Sequence, residues 1–293
     1  MESIGFLGLG AMGTPMARNV SEHGFDLRVY NRAHERTIPF EQEGIPVADS
    51  PRDLAEGADA VVIMVTGGEA LLDVLTSTDG VIDGLDEESV VINASTVPRE
   101  TTIEASDRVN AIGASFVDAP VAGTVGPAEA GSLTVMVGGD EAVIDGVEEL
   151  FEAISDTVVR CGPVGQGTSM KLANNVLLGA MMEGLSESLT LARAQGIDIG
   201  TFREVIESGG MGAPFYGAMI ERIDARAFDP DYRLDLLYKD LSIALDEGGG
   251  LGVPLPASAA TREVVTGARG LGHGDDHMVA VIEYFEKNTN TDR

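Results

Sequence analysis

Over its first 162 residues the chain alternates short apolar, β-branched runs with amphipathic stretches, and few folds accommodate that pattern. SIGFLG is followed by a helix-like stretch at residues 12–23, DLRVY by one at 33–42, ADAVVIMV by one at 69–75, and SVVINA by one at 98–109. ASFVDAP, SLTVMVGG with the stretch 141–154, and TVVRC complete the series. Strands that alternate with helices are predicted to pair in parallel, because each helix returns the chain to the same edge of the sheet. After Cys161 the β-branched runs stop and helix-like segments take over, at residues 168–195, 201–207, 234–247, 258–268 and 278–287. The change falls in CGPVGQG, a Gly/Pro-rich link. The expected organisation is an α/β domain with a mostly parallel sheet over residues 1–162, then an all-α domain over residues 163–293.

GLGAMG places Gly8, Gly10 and Gly13 directly after the first strand and at the head of a helix-like stretch. In that setting the first glycine permits a tight turn and the second lets backbone approach a pyrophosphate. The third lets helix pack closely on strand, with the helix N-terminus facing the anion. A dinucleotide-binding Rossmann-type domain is therefore predicted, with Ala11 and Met12 inside the loop and Thr66, after the third apolar run, also at the cofactor. The second strand lacks the acidic residue that would hold the ribose hydroxyls of NAD, and Asn31-Arg32 stand there instead. Arg32 can pair with the 2′-phosphate of NADP, and Arg36, about one helical turn on, offers a second contact. Charge thus favours NADP, with NAD the alternative.

Composition narrows the partners. The chain holds 48 Asp+Glu against 19 Lys+Arg, a formal charge of −29, yet 44% of its residues are hydrophobic. Disordered acidic tails lack the apolar residues to build a core, so this is a folded protein with an acidic surface. No basic cluster is present to hold nucleic acid. The longest apolar runs are under half of a membrane-spanning helix, and the N-terminus lacks the positive flank of a signal peptide, so a cytoplasmic location is expected. Cys161 is the single cysteine, which excludes an internal disulfide and a cysteine-based metal cluster, and it is expected to be a small buried residue.

Lys171 is one of three lysines, with Lys239 and Lys287. It stands four residues before Asn175, so the two share one helix face a turn apart. Arginine is always charged, whereas lysine can lose its proton when desolvated, so a lysine kept here points to acid/base work.

With these residues in view, the chain resembles the β-hydroxyacid dehydrogenases, the family of 3-hydroxyisobutyrate dehydrogenase, tartronate semialdehyde reductase and the glyoxylate/succinic semialdehyde reductases. FLGLGAMGTPMARN is similar to the family's N-terminal signature, ASTVP to its Ser-Thr loop and DAPVAGTVGPAEAGSLTVMVGG to its substrate loop. GQGTSMKLANN is similar to the catalytic helix and YKDL to the C-terminal Lys-Asp motif. The resemblance implies that Lys171 is the acid/base, that Asn175 holds substrate and that Asp240 supports the lysine. It also implies that Thr96 borders substrate and nicotinamide, that Gly123 and its neighbours offer amides to a substrate carboxylate, and that Lys239 serves the cofactor. The implied reaction is hydride transfer between nicotinamide and a small carboxylate bearing a hydroxyl or aldehyde.

Ala122 and Thr124 depart from the family's Asp-Ala-Pro-Val-Ser-Gly-Gly, which removes one substrate hydroxyl contact. The run GTVGPAE is nearer to the semialdehyde and glyoxylate reductase branch. Asn93 replaces a frequent Asp. Tyr232 takes the place of a frequent Phe, to cap the substrate pocket or to pack. Imine reductases of the same superfamily usually replace the lysine, and inactive dinucleotide-binding relatives lack it, so Lys171 argues against both alternatives. HGDDH, residues 273–277, is read as an acidic loop and no metal is expected. The apolar stretch LLGAMMEGLSESLTLA is expected to be buried against the sheet domain and a second subunit, in a dimeric or tetrameric homo-oligomer.

Dispersed acidity with so little lysine fits a halophilic host, where salt screens self-repulsion. The expected outcome is unfolding when the protein is dialysed to low ionic strength, followed by circular dichroism, whereas equal stability in dilute buffer contradicts a halophilic origin.

Overall fold

Each apolar run of the first half is a strand in the computed structural model, which describes residues 1–289. In chain order the elements are β1 (Ser3–Leu7), α1 (Gly13–Glu22), β2 (Asp26–Tyr30), α2 (Ile38–Gln42), α3 (Pro51–Ala55), β3 (Ala60–Ile63), α4 (Gly68–Thr76), β4 (Val90–Asn93) and α5 (Arg99–Asn110). There follow β5 (Ser115–Asp118), β6 (Val121–Ala122), α6 (Val125–Glu129), β7 (Leu133–Gly138), α7 (Glu141–Gly146), α8 (Glu148–Glu152) and β8 (Ser155–Gly162). The strand order is β2-β1-β3-β4-β5-β7-β6, with β8 beside β7. The first five strands pair in parallel, β7 runs antiparallel to β5 and β6, and β8 runs parallel to β7. The fold is therefore the predicted Rossmann-type α/β domain, followed by helices.

Both faces of the sheet are covered, which is why its central strands read as unbroken apolar runs. Phe6, Val62, Ile92 and Val117 pack on one face with Met16 and Val20 of α1 and with Phe151. Leu7, Val61, Ile63, Val91 and Phe116 pack on the other with Leu71 and Leu75 of α4 and Val109 of α5. Each fully buried aliphatic or aromatic side chain contributes roughly 1.5–3 kcal/mol. The helix expected over residues 33–42 is interrupted, as a 3₁₀ turn at His34–Arg36 precedes α2, whose first turn holds Pro39. Cys161 is half-buried rather than interior, because β8 has a neighbour only in β7 and is largely exposed.

The chain divides into two compact units, one of residues Met1–Lys171 and one beginning at Leu172. The remaining helices are α9 (Gln166–Ala194), which runs through that division, α10 (Ile199–Ser208), α11 (Pro214–Ala225), α12 (Leu234–Leu251), α13 (Pro256–Ala268) and α14 (Ile282–Lys287). Met182, Leu185 and Leu189 of α9 pack in the second unit with Ile220 and Ile223 of α11, Leu237 and Leu241 of α12, and Val265 of α13. Burial of α9 is one-sided, since Met182 is fully covered while Leu177 and Leu191 are 61% and 62% exposed. Among the described residues no helix is long and apolar enough to cross a membrane.

The histidines of HGDDH have separate tasks. His273 Nδ1 is bonded to Asp276 Oδ2 at 2.8 Å, whereas His277 is fully buried and its Nδ1 accepts the Val279 amide at 3.1 Å. Burial, helped by the Arg222 charge and opposed by Asp231, lowers the His277 pKa to about 4. Its unfolded value is near 6.5, so the stability it confers is complete above that pH and is lost as pH falls towards about 4. His277→Asn, which keeps an acceptor for the Val279 amide but does not titrate, is expected to flatten this acid limb in denaturant titrations between pH 6.5 and 4.

Candidate active site

The glycine loop between β1 and α1 is shaped by close approaches. Gly8 has φ +102°, and a Cβ there would lie 2.1 Å from the Met64 carbonyl oxygen; one on Gly13 would lie 1.9 Å from the Gly8 oxygen. Only glycine fits either position. A Cβ on Gly10 would meet nothing within 4 Å, so that position is open to a ligand, beside an α1 N-terminus with no acidic residue in its first turn. An open backbone at a helix N-terminus fits the pyrophosphate of a dinucleotide. Ala11 and Met12 complete the loop.

Leu9, at its centre, is clasped on both backbone groups. Its amide donates to Asn31 Oδ1 at 2.9 Å and its carbonyl accepts from Arg36 Nη1 at 3.1 Å. Asn31 also donates to the Ala33 carbonyl at 2.9 Å. Asn31 and Arg36 thus brace the loop, and Arg32 beside them is exposed.

Further along the sheet, Thr66 follows β3 and Thr96 follows β4, at the edge where ligands of open α/β sheets bind. Ser95, which the sequence did not single out, holds these two loops together, accepting from the Val65 amide at 2.9 Å and donating to the Ile63 carbonyl at 3.3 Å. Because β6 runs with the parallel set, Ala122 and Gly123 reach the same edge, and Thr124 leads into α6. These strands place Gly8, Thr66, Thr96 and Gly123 in sequence along one side of the sheet.

Asp118, the last residue of β5, is a second residue that the sequence did not single out. Fully buried, it accepts the Gly165 amide on Oδ1 at 2.7 Å and the Thr168 amide on Oδ2 at 2.6 Å, where α9 begins. Burial raises its pKa, and the bonds from Gly165 and Thr168 oppose that rise. A Cβ on Gly167 would lie 2.3 Å from the Met136 carbonyl oxygen, so α9 starts in direct contact with β7. An acid ending an apolar strand was the available signal. Lys171, only 8% exposed, follows one turn after Thr168.

In the second unit Asp240 gathers the remaining polar groups. It is 2% exposed. Its Oδ2 accepts from Asn175 Nδ2 and from the Tyr232 hydroxyl, each at 2.7 Å, and Lys239 Nζ stands 2.8 Å from Oδ1. Asn175, Tyr232, Lys239 and Asp240 are therefore one cluster, and Asn175 follows Lys171 by one turn of α9.

Residues 3–162 match the NAD binding domain of 6-phosphogluconate dehydrogenase, and residues 165–285 match the domain described as NAD-binding of NADP-dependent 3-hydroxyisobutyrate dehydrogenase. Glyoxylate/succinic semialdehyde reductase 1 of Arabidopsis thaliana is 32% identical over 96% of this chain and 97% of its own length. The chain belongs to the 3-hydroxyisobutyrate dehydrogenase family. Mitochondrial 3-hydroxyisobutyrate dehydrogenase of Mus musculus is 31% identical over 97% of this chain and 87% of its own. The solved structure of the Mycobacterium tuberculosis 3-hydroxyisobutyrate dehydrogenase with L-serine superposes with a TM-score of 0.88 at 26% identity, covering 97% of this chain and 99% of that one. As a member of this family the protein is an NAD(P)-dependent oxidoreductase acting on CH–OH groups.

Proposed function

We propose that the protein is an NADP(H)-dependent β-hydroxyacid dehydrogenase or semialdehyde reductase in which Lys171 is the acid/base. The observation that carries this reading is a buried lysine, in a chain with three, set one turn after the α9 start that Asp118 holds and one turn before an asparagine tied to Asp240. Residues 1–162 are taken as the cofactor domain and 163–293 as the substrate and oligomerisation domain.

The glycine loop and the N-terminus of α1 would hold the pyrophosphate, and Arg32 and Arg36 the 2′-phosphate. Thr66, Thr96 and Lys239 complete the cofactor contacts. The bound cofactor supplies or accepts a hydride. In the reductive direction a substrate carbonyl gains negative charge on oxygen, which the Lys171 ammonium neutralises and protonates; in the oxidative direction the neutral amine removes the hydroxyl proton. Asn175 hydrogen-bonds a substrate oxygen, and Gly123 with Thr124 would present amides to the carboxylate. Ala122 offers no hydroxyl, which supports a small semialdehyde or glyoxylate-like acid over a hydroxylated one. The uncovered Leu177 and Leu191 on α9 support a dimer or tetramer, and the acidic surface supports working conditions of high salt in a cytoplasm.

The test is turnover of glyoxylate and of succinic, methylmalonate and tartronate semialdehydes with NADPH or NADH in concentrated KCl. Lys171→Ala is expected to lower kcat on the best substrate by about 10²–10⁴-fold, and Arg32→Ala to raise the KM for NADPH but not for NADH. Full turnover by Lys171→Ala would overturn the mechanism.

A further inference from the structure

Tyr232 lies just before α12, and its carbonyl accepts the Met278 amide at 2.8 Å, so the fold fixes where its ring starts. The ring is half-buried with the core of the second unit. Its hydroxyl donates to Asp240 Oδ2 at 2.7 Å. Burial first, then the Asp240 charge and the hydrogen bond to it, push the Tyr232 pKa well above the ordinary tyrosine value. The hydroxyl therefore keeps its proton and stays a donor throughout the neutral range.

An ionised carboxylate accepts hydrogen bonds and donates none. Asn175 must therefore turn its NH₂ towards Asp240, as it does at 2.7 Å, and its carbonyl oxygen accepts from Asn174 Nδ2 at 3.1 Å. With both the tyrosine hydroxyl and the asparagine amide on Oδ2 and Lys239 beside Oδ1, rotation of the Asp240 carboxylate about Cβ–Cγ would break bonds on either side. Without the hydroxyl, the asparagine amide is the only donor of the pair left on Oδ2. Phenylalanine keeps the apolar packing of the ring but cannot supply that bond.

We infer that Tyr232 is a positioning residue for substrate: its hydroxyl fixes Asp240, and through Asp240 it fixes the rotamer in which Asn175 meets the ligand. This rests on Asn175 being a substrate contact, as proposed above. An asparagine held with its NH₂ on the Asp240 side has one remaining N–H for an acceptor atom, such as a carbonyl, carboxylate or hydroxyl oxygen.

The test compares wild type, Tyr232→Phe, Asn175→Ala and the double variant on the best substrate in concentrated KCl, with NADPH affinity from fluorescence titration and the thermal midpoint measured alongside. Asn175→Ser replaces Asn175→Ala if the latter does not fold. Tyr232→Phe is expected to raise the substrate KM about ten-fold, the scale of one lost charge-assisted hydrogen bond, with a much smaller change in kcat and none in NADPH affinity. In the Asn175→Ala background the same substitution is expected to change nothing further, because its effect passes through Asn175. An unchanged KM in Tyr232→Phe, a loss of thermal midpoint alone, or a full additional loss in the double variant would overturn the inference while leaving Lys171 as acid/base. An unchanged KM in Asn175→Ala would overturn the asparagine contact and the role of Tyr232 together, and only full turnover by Lys171→Ala would overturn Lys171 as the acid/base.

Discussion

A buried carboxylate on the last residue of β5 ties the sheet to the start of α9, the helix that carries Lys171 and Asn175. Hydrophobic packing is non-directional, and a long helix held by it alone could settle in neighbouring positions at little cost. The two bonds from Gly165 and Thr168 to Asp118 are directional and lock the start of α9 to one place on the sheet edge. They also satisfy amides that a helix N-terminus leaves without partners, and they set negative charge at the positive end of the helix dipole. Burial disfavours that charge, and the two amides favour it. Gly167 then lets α9 begin against β7, and Lys171 follows one turn later.

The same economy of polar groups recurs at the glycine loop. Asn31 and Arg36 were read as cofactor contacts, and the structure gives each a partner in the protein, on the amide and the carbonyl of Leu9. The buried Leu9 side chain anchors the loop in the core, and those two bonds fix its backbone in the conformation that leaves Gly10 open. Arg32 stands exposed next to them. At Asp240 the pattern is the same: a neighbouring lysine, an asparagine and a tyrosine are organised by one acceptor.

The strands were legible because a sheet covered on both faces demands continuous apolar runs, and Phe6, Val62 and Ile92 alternate across it with Leu7, Val61 and Val91. The helices α3 and α6 were not, since five residues are too few to display a period of 3.6. Helix α11 was hidden by the glycines before it and by Gly217 within it, and burial of Met219, Ile220 and Ile223 accounts for it. Lys171 and Asn175 could be joined from spacing because they share one helix. Asp118 reaches Gly165 across 47 residues, and no local pattern encodes such a bond. Tyr232 was noticed as a departure from the family, but its hydroxyl's partner depends on how the turn before α12 is held by Met278.

The start of α9 depends most on the hold of Asp118, and native-state hydrogen exchange read at single amides tests that hold directly. The amides of Gly165 and Thr168 are predicted to exchange only through global unfolding, as slowly as those of Val62 and Ile92 in the central strands. Exchange of those two amides at the rate of an exposed loop, with the strands still protected, would contradict it.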